Sequence, residues 1–89
     1  MTRLRNTPGN EIFITTTGDE PADWPDHFRP GDFVKVVAYN EGMWTEVEED
    51  TGTEILATMA NTHTEGRLHF GEPVAYLREN VRNWMPART

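Results

Sequence analysis

Three histidines are the residues in this sequence with the plainest metal-binding chemistry. His63 and His69 lie six residues apart across a polar loop, and Glu65 or Glu72 could add a carboxylate ligand. The spacing lacks the i, i+4 register of a helical zinc pair. Because such spacing discriminates weakly, we expect His63, His69 and the remaining His27 to be surface loop residues, with no bound metal or other cofactor.

The sequence contains few side chains that could act as a catalytic nucleophile. The chain contains neither cysteine nor serine, which excludes nucleophilic triads of the serine or cysteine type. The threonine run Thr15–Thr17 has no paired base, and Gly31 and Gly71 belong to turns rather than to a phosphate-cradling loop. We therefore predict that the protein is not an enzyme. A small enzyme or metal-binding protein that uses His63 and His69 is kept as the second alternative.

Acidic residues crowd one predicted hairpin. They are Glu41, Glu46, Glu48, Glu49, Asp50 and Glu54. Alternation along a strand would put Glu46 and Glu48 on the same face as Trp44. One interpretation is a solvated face that also protects a sheet edge from pairing. The other is an electronegative patch around an exposed aromatic side chain, suited to docking on a basic protein surface with Trp44 as anchor.

Aromatic residues must supply much of the core, because hydrophobic residues make up only 36% of the chain. Those we expect in the core are Phe13, Phe28, Phe33, Phe70 and Trp84. Those we expect to stay partly exposed are Trp44, Tyr39 and Tyr76. The predicted partner-binding residues are accordingly Trp44, Glu46, Glu48, Glu49, Asp50, Tyr39 and Tyr76.

Charge and length limit the classes of partner and location. The 89 residues carry a net charge of -7, which disfavours direct contact with nucleic acid or anionic lipid and permits contact with a basic protein. No apolar run approaches the roughly 20 residues of a membrane span, and no signal peptide is recognisable. With no cysteines, the sequence fits a reducing cytoplasm, and we expect a complete small cytoplasmic protein.

The elements that would position these residues are mostly strands. We predict a flexible arm at residues 1–10 and a single β-barrel domain at 11–89. Within it we expect strands at 11–17, 31–39, 43–48, 53–61 and 73–77, a hairpin turn at 40–42, re-entry of the chain at 68–72, and a one-turn helix leading to a last short strand at 78–86. Five to six short strands separated by turn signals predict a mainly β protein, a small barrel of antiparallel strands with one or two short helical turns.

Residues 31–85 resemble a known family. The stretch contains Met-Trp-Thr-Glu-Val at 43–47, a strand ending at Asn61, Leu-His-Phe-Gly-Glu-Pro-Val at 68–74, and a closing Asn-Trp at 83–84. This order resembles the YegJ-like bacterial domain of unknown function, whose pattern implies an SH3-like small barrel and no activity. The chain departs from that pattern at Glu72–Pro73 and at Asn83.

These observations lead to one functional hypothesis and a rival. The favoured one is a non-enzymatic protein-binding module of bacterial or phage origin, a monomer or weak homodimer. The rival is an acidic inhibitor or nucleic-acid mimic, of the type that a phage or mobile element encodes, which blocks a basic, nucleic-acid-handling protein. An edge strand at residues 73–77 would also allow symmetric self-association.

Overall fold

The computed structural model describes residues 1–4, 26–39 and 41–86 and forms one mixed β-sheet. Its elements are β1 (Thr2–Arg3), β2 (Phe33–Ala38), β3 (Glu41–Asp50), β4 (Glu54–Met59), β5 (Pro73–Leu77), a 3-10 helix (Arg78–Asn80) and β6 (Asn83–Met85). The strand order is β1-β5-β4-β3-β2-β6, with β1 parallel to β5 and the other neighbours antiparallel. Among these residues, no helix is long and apolar enough to cross a membrane.

The mainly β prediction is confirmed, and most predicted strands are found. β2, β3, β4 and β5 fall within or around the predicted segments, and the helical turn at 78–80 leads into β6 as expected. Residues 68–72, where re-entry of the chain is expected, form bends and turns that lead into β5. The predicted strand at 11–17 lies outside the described residues. The sheet is mixed rather than purely antiparallel, because the N-terminus adds a parallel strand.

One face of the sheet forms the core because apolar side chains alternate along its strands. β2 and β4 both alternate between partly exposed and fully buried positions. The buried set comprises Val34, Val36, Ala38, Met43, Val47, Ile55, Ala57, Met59, Val74 and Tyr76, joined by Leu4, Phe28, Leu68 and Val81 from flanking segments. We call the opposite surface the outer face; it carries Phe33, Lys35, Trp44, Glu46, Glu49, Leu56 and Thr58.

The sheet is strongly curled, although it is not closed. Thr45 of β3 and Tyr76 of β5 are separated by β4, yet their hydroxyl oxygens lie 2.6 Å apart. Thr45 pairs with Met59 and Tyr76 with Ile55, so the two residues are two strands apart and also offset by four residues along β4. On a flat sheet their backbones would be about 16 Å apart, so the sheet curves toward its core face. The two edge strands, β1 and β6, do not pair with each other among the described residues. Closure into a barrel is therefore not confirmed.

Residues 1–4, part of the expected arm, join the edge of the sheet. Thr2 and Arg3 pair with Val74 and Ala75 of β5, and the Leu4 amide donates to the Ala75 carbonyl at 2.8 Å. Leu4 is buried in the core. Residues 5–10 of the expected arm lie outside the described residues. The strand at residues 73–77 is consequently covered on this side rather than free.

The turn between β2 and β3 is one position earlier than expected. Ala38 pairs with Glu41, so two residues connect the strands, and Gly42 belongs to β3. Two-residue loops of this kind require positive φ angles, and Tyr39 has a φ of 51°. This loop sets the register that places Lys35 opposite Trp44.

A β-bulge interrupts β3 after Val47. Val47 pairs with Ala57, whereas Glu49 pairs with Leu56, so Glu48 is the extra residue. A bulge of this kind reverses the inward and outward alternation beyond it. Glu49 therefore points to the outer face, and Asp50 points inward beside the core.

Candidate functional site

The acidic residues of the hairpin separate into two groups with different roles. Glu41, Asp50 and Glu54 each form hydrogen bonds or ion pairs with described residues. Glu46, Glu48 and Glu49 are exposed and make no such contact within the described ranges. We call these three the acidic rim. Because no described residue pairs with the rim, it forms an exposed acidic surface.

Asp50, one of the predicted partner-binding residues, is held within the fold by hydrogen bonds. Its side chain is fully buried and accepts hydrogen bonds from the amides of Phe28 and Gly52, both at 2.8 Å, and from Arg78 Nε at 3.0 Å. Burial by itself would raise the pKa of Asp50, but these donors together hold that pKa below its ordinary value. Its charge serves the fold rather than the surface.

The Arg78 side chain continues this structural contact away from the sheet. Its guanidinium group lies 4.9 Å from the centroid of the Phe28 ring and donates from Nη2 to the Asp26 carbonyl at 2.9 Å. The segment before β2 is thereby attached both to the bulge at Asp50 and to the 3-10 helix. Replacing Arg78 or Asp50 should therefore weaken the attachment of the segment before β2, of the bulge and of the 3-10 helix to one another.

Two tryptophans lie on opposite faces of the sheet and differ in their hydrogen bonding. Trp84 pairs with Val34, packs against the core, and donates from Nε1 to Asp32 Oδ2 at 3.2 Å. Trp44 pairs with Lys35 on the outer face and is partly exposed, as expected. In the part of the chain that the structure describes, nothing accepts a hydrogen bond from the Trp44 indole N–H. Within the described ranges, Trp44 thus presents an apolar ring together with an N–H donor that no protein group accepts.

The backbone around Trp44 is firmly held, so the exposed ring sits on a rigid support. Its amide donates to Asn61 Oδ1 at 3.0 Å, and its carbonyl accepts from the Ala60 amide at 2.9 Å. On the β2 side, the Lys35 stem passes so close to Gly42 that a Cβ there would lie 2.7 Å from Lys35 Cε. Gly42 therefore leaves room for the lysine beside the tryptophan.

The sequence did not reveal which residues border Trp44, since that depends on register. Phe33 was expected in the core, but it pairs with Glu46 on the outer face and is partly exposed. Lys35 places one positive charge next to Trp44, opposite in sign to the acidic rim. A two-residue loop between β2 and β3 sets a register in which Phe33 and Lys35 lie beside Glu46 and Trp44. Recognising that loop in the sequence would have identified both neighbours.

Two other aromatic predictions were wrong. Tyr76 was expected to stay partly exposed for partner contact, but it is 1% exposed and lies in the core. Burial raises the pKa of its hydroxyl group. Phe70 was expected in the core, but it is 73% exposed in the turn between His69 and Gly71. Phe28 and Trp84 pack in or against the core as expected, and Phe13 lies outside the described residues.

Tyr39 is held by contacts from the loop that precedes β5. Its ring lies edge-on to His63, with centroids 5.8 Å apart, and the Arg67 guanidinium lies 5.1 Å from its centroid. The carbonyl of Tyr39 lies 3.2 Å from His63 Nε2. These contacts stabilise a left-handed backbone conformation that costs a residue with a Cβ about 1–2 kcal/mol. Tyr39 remains partly exposed, as expected.

His63 is a core residue, contrary to its expected place on a surface loop. It is 2% exposed, and its Nδ1 accepts from the Glu65 amide at 3.1 Å. With Nδ1 accepting, the ring proton lies on Nε2, and Nε2–H can donate to the Tyr39 carbonyl. Both nitrogens serve the loop, so His63 has none left for a metal ion.

The remaining candidates do not assemble a chemical site in the described residues. His27 and His69 are exposed, as expected. Glu72 accepts from the Thr2 hydroxyl and the His69 amide, and the bond from Thr2 lowers its pKa. Within the described ranges, no three His, Asp or Glu side chains are grouped to hold a metal ion.

Comparison with known proteins identified no protein similar to this chain. No family model matches the chain, and neither the curated proteins nor the solved structures give a significant match. The resemblance to the YegJ-like domain therefore stays a prediction. The functional argument has to come from the geometry of the outer face.

Proposed function

We propose that this protein is a non-enzymatic protein-binding module that contacts its partner through the outer face of β3, centred on Trp44. The observation that carries the proposal is the partly exposed Trp44 ring, whose N–H has no acceptor among the described residues. Tryptophan is strongly enriched among the residues that dominate binding energy. Its amphipathic ring offers a partner apolar area together with one directed hydrogen bond.

The acidic rim sets the chemistry of the partner. Glu46 lies two residues from Trp44 along β3, and Glu48 and Glu49 follow at the bulge. A partner with lysine or arginine side chains around an apolar or aromatic pocket would match both parts of the face. Such complementarity steers encounter and sets orientation, whereas the buried tryptophan supplies most of the affinity.

We further propose that the sheet is the body of an SH3-like small barrel in the cytoplasm. The strands β2 to β5 form a meander, and β6 returns to pair with β2, the first strand of that meander. β3 is 10 residues long and bulged, a feature that bends sheets toward closure. The cysteine-free sequence is the support for the location.

The test compares partner capture by four immobilised forms of the full chain. They are the wild type, Trp44→Ala, the triple variant E46Q/E48Q/E49Q, and Phe70→Ala. Each is incubated with lysate of the producing cell at low salt and at about 0.5 M salt, where screening is strong. Phe70→Ala is the matched control, because it removes an exposed aromatic ring that lies outside the proposed face.

We expect one partner that survives high salt and is lost with Trp44→Ala but kept by Phe70→Ala. With the purified partner, Trp44→Ala should weaken the Kd at least about 30-fold, the level of a hot-spot residue. The triple variant should weaken binding less and flatten its salt dependence. A partner that Trp44→Ala retains, but that the triple variant or high salt abolishes, contradicts the proposal and favours the nucleic-acid mimic. Capture of no partner at either salt also contradicts it.

A further inference from the structure

The edge of β5 is occupied by residues from the far end of the chain. Thr2 and Arg3 pair in parallel with Val74 and Ala75, and the Leu4 amide adds one more hydrogen bond to Ala75. These are main-chain contacts that any extended segment could make at an open sheet edge.

Side chains make this occupation specific. The Thr2 hydroxyl donates to Glu72 Oε2 at 2.5 Å, and Arg3 forms an ion pair with Glu54. Leu4 enters the core and is 2% exposed. The edge thus recognises a hydroxyl group, a guanidinium group and a leucine at three successive positions.

The connection to this strand is long in sequence. Residues 5–25 lie between the N-terminal segment and the next described residue, and a chain of about 20 residues can span at most about 70 Å. The described residues extend 32 Å along their longest axis. The β5 edge of a neighbouring copy is therefore within reach of the same segment.

We propose that the β5 edge is a strand-acceptor site for residues 2–4 of a second copy of this chain, so that two copies exchange their N-terminal segments. Each contact made within one chain is then made equally between two chains. The proposal is independent of the function assigned to Trp44. By mass action, the exchanged dimer should gain population as the protein concentration rises.

The absence of native cysteines permits a clean crosslinking test. Full-length Arg3→Cys and Ala75→Cys chains are mixed under mild oxidation, because these two positions are direct partners in the parallel register. Neighbouring strands lie about 4.8 Å apart, within the range that a disulfide spans. The control mixture pairs Ala75→Cys with Glu79→Cys, an exposed position on the 3-10 helix.

We expect at least about tenfold more mixed disulfide from the Arg3→Cys and Ala75→Cys pair than from the control. A free peptide of residues 1–6 should reduce that yield by competing for the edge. If both cysteines in one chain form an internal disulfide but the mixture gives no more product than the control, the exchange is refuted.

A second measurement uses the unmodified chain, in case the cysteine variants fold poorly. Light scattering should show dimer mass increasing as the protein concentration rises through about 1 mM, a concentration typical of the competition between linked and separate binding segments. Leu4→Asp should remain monomeric, because the charged side chain cannot enter the core of either copy. A wild-type chain that stays monomeric across this range overturns the proposal.

Discussion

The hydroxyl groups of Thr45 in β3 and Tyr76 in β5 form a buried hydrogen bond in the core. Thr45 Oγ1 donates its only proton to the Val34 carbonyl at 3.0 Å. The 2.6 Å contact with Tyr76 must then be donated by the tyrosine. The direction matters, because removing the Thr45 hydroxyl leaves the Tyr76 hydroxyl without an acceptor, whereas removing the Tyr76 hydroxyl leaves Thr45 bonded to Val34.

The two deletions of this pair should therefore differ in cost. Tyr76→Phe removes the donor and leaves Thr45 bonded to Val34, so we expect a loss of about 1 kcal/mol in the free energy of unfolding. Thr45→Val leaves the buried Tyr76 hydroxyl without its acceptor, and we expect a larger loss, about 1–3 kcal/mol. Urea denaturation of both variants measures this. Equal losses, or a larger one for Tyr76→Phe, would contradict the assigned direction.

At the scale of elements, the alternation of side chains predicted most strands and the exposed position of Trp44. It failed beyond Val47, because Glu48, Glu49 and Asp50 are all acidic, so their order carries no signal of a bulge. The register of the hairpin was missed for a related reason. Its left-handed residue is Tyr39, a type that rarely takes positive φ, so the sequence pointed to the nearby glycine instead.

Long-range contacts explain the other failures of prediction. Tyr76 is buried on the core face, where Thr45 of β3, two strands away, provides a partner for its hydroxyl group. The sequence of β5 alone does not encode that partner. His63 is buried because the left-handed Tyr39 offers it a carbonyl. Leu4 reaches the core through pairing with a strand about 70 residues later. Local patterns contain none of these partners.

The bulge predicts that substitutions of the adjacent acids Glu49 and Asp50 differ strongly in their effect on the free energy of unfolding. Asp50→Ala removes a buried carboxylate that accepts three hydrogen bonds, so we expect a loss of about 2–4 kcal/mol in the free energy of unfolding. Glu49→Ala changes an exposed residue of the acidic rim and should alter it by less than about 0.5 kcal/mol. Chemical denaturation separates the two. If both variants lost the same stability, the bulge would not orient these side chains as described.

At the scale of the whole molecule, the acids that give the net charge of -7 include some that are hydrogen-bonded within the fold and some that are exposed on the surface. Glu41, Asp50 and Glu72 accept hydrogen bonds that hold their pKa values below the ordinary range. For Glu41 the main cause is hydrogen bonding from Thr64. The acidic rim makes no comparable bond with the described residues. One group of acids therefore stabilises the fold, and the other adds mainly mutual repulsion.

This division predicts how stability depends on pH. Because the three bonded carboxylates have lowered pKa values in the folded state, the unfolded chain takes up protons first as the pH falls. Their stabilisation is complete above their ordinary pKa values, near pH 4–4.5, and is lost as the pH falls further. Urea denaturation between pH 7 and pH 3 should show this decline. Asp50→Ala should make it shallower, whereas E46Q/E48Q/E49Q should leave it intact and raise stability slightly at pH 7. A decline that disappeared with the triple variant would mean that repulsion within the acidic rim, rather than the bonded carboxylates, governs stability.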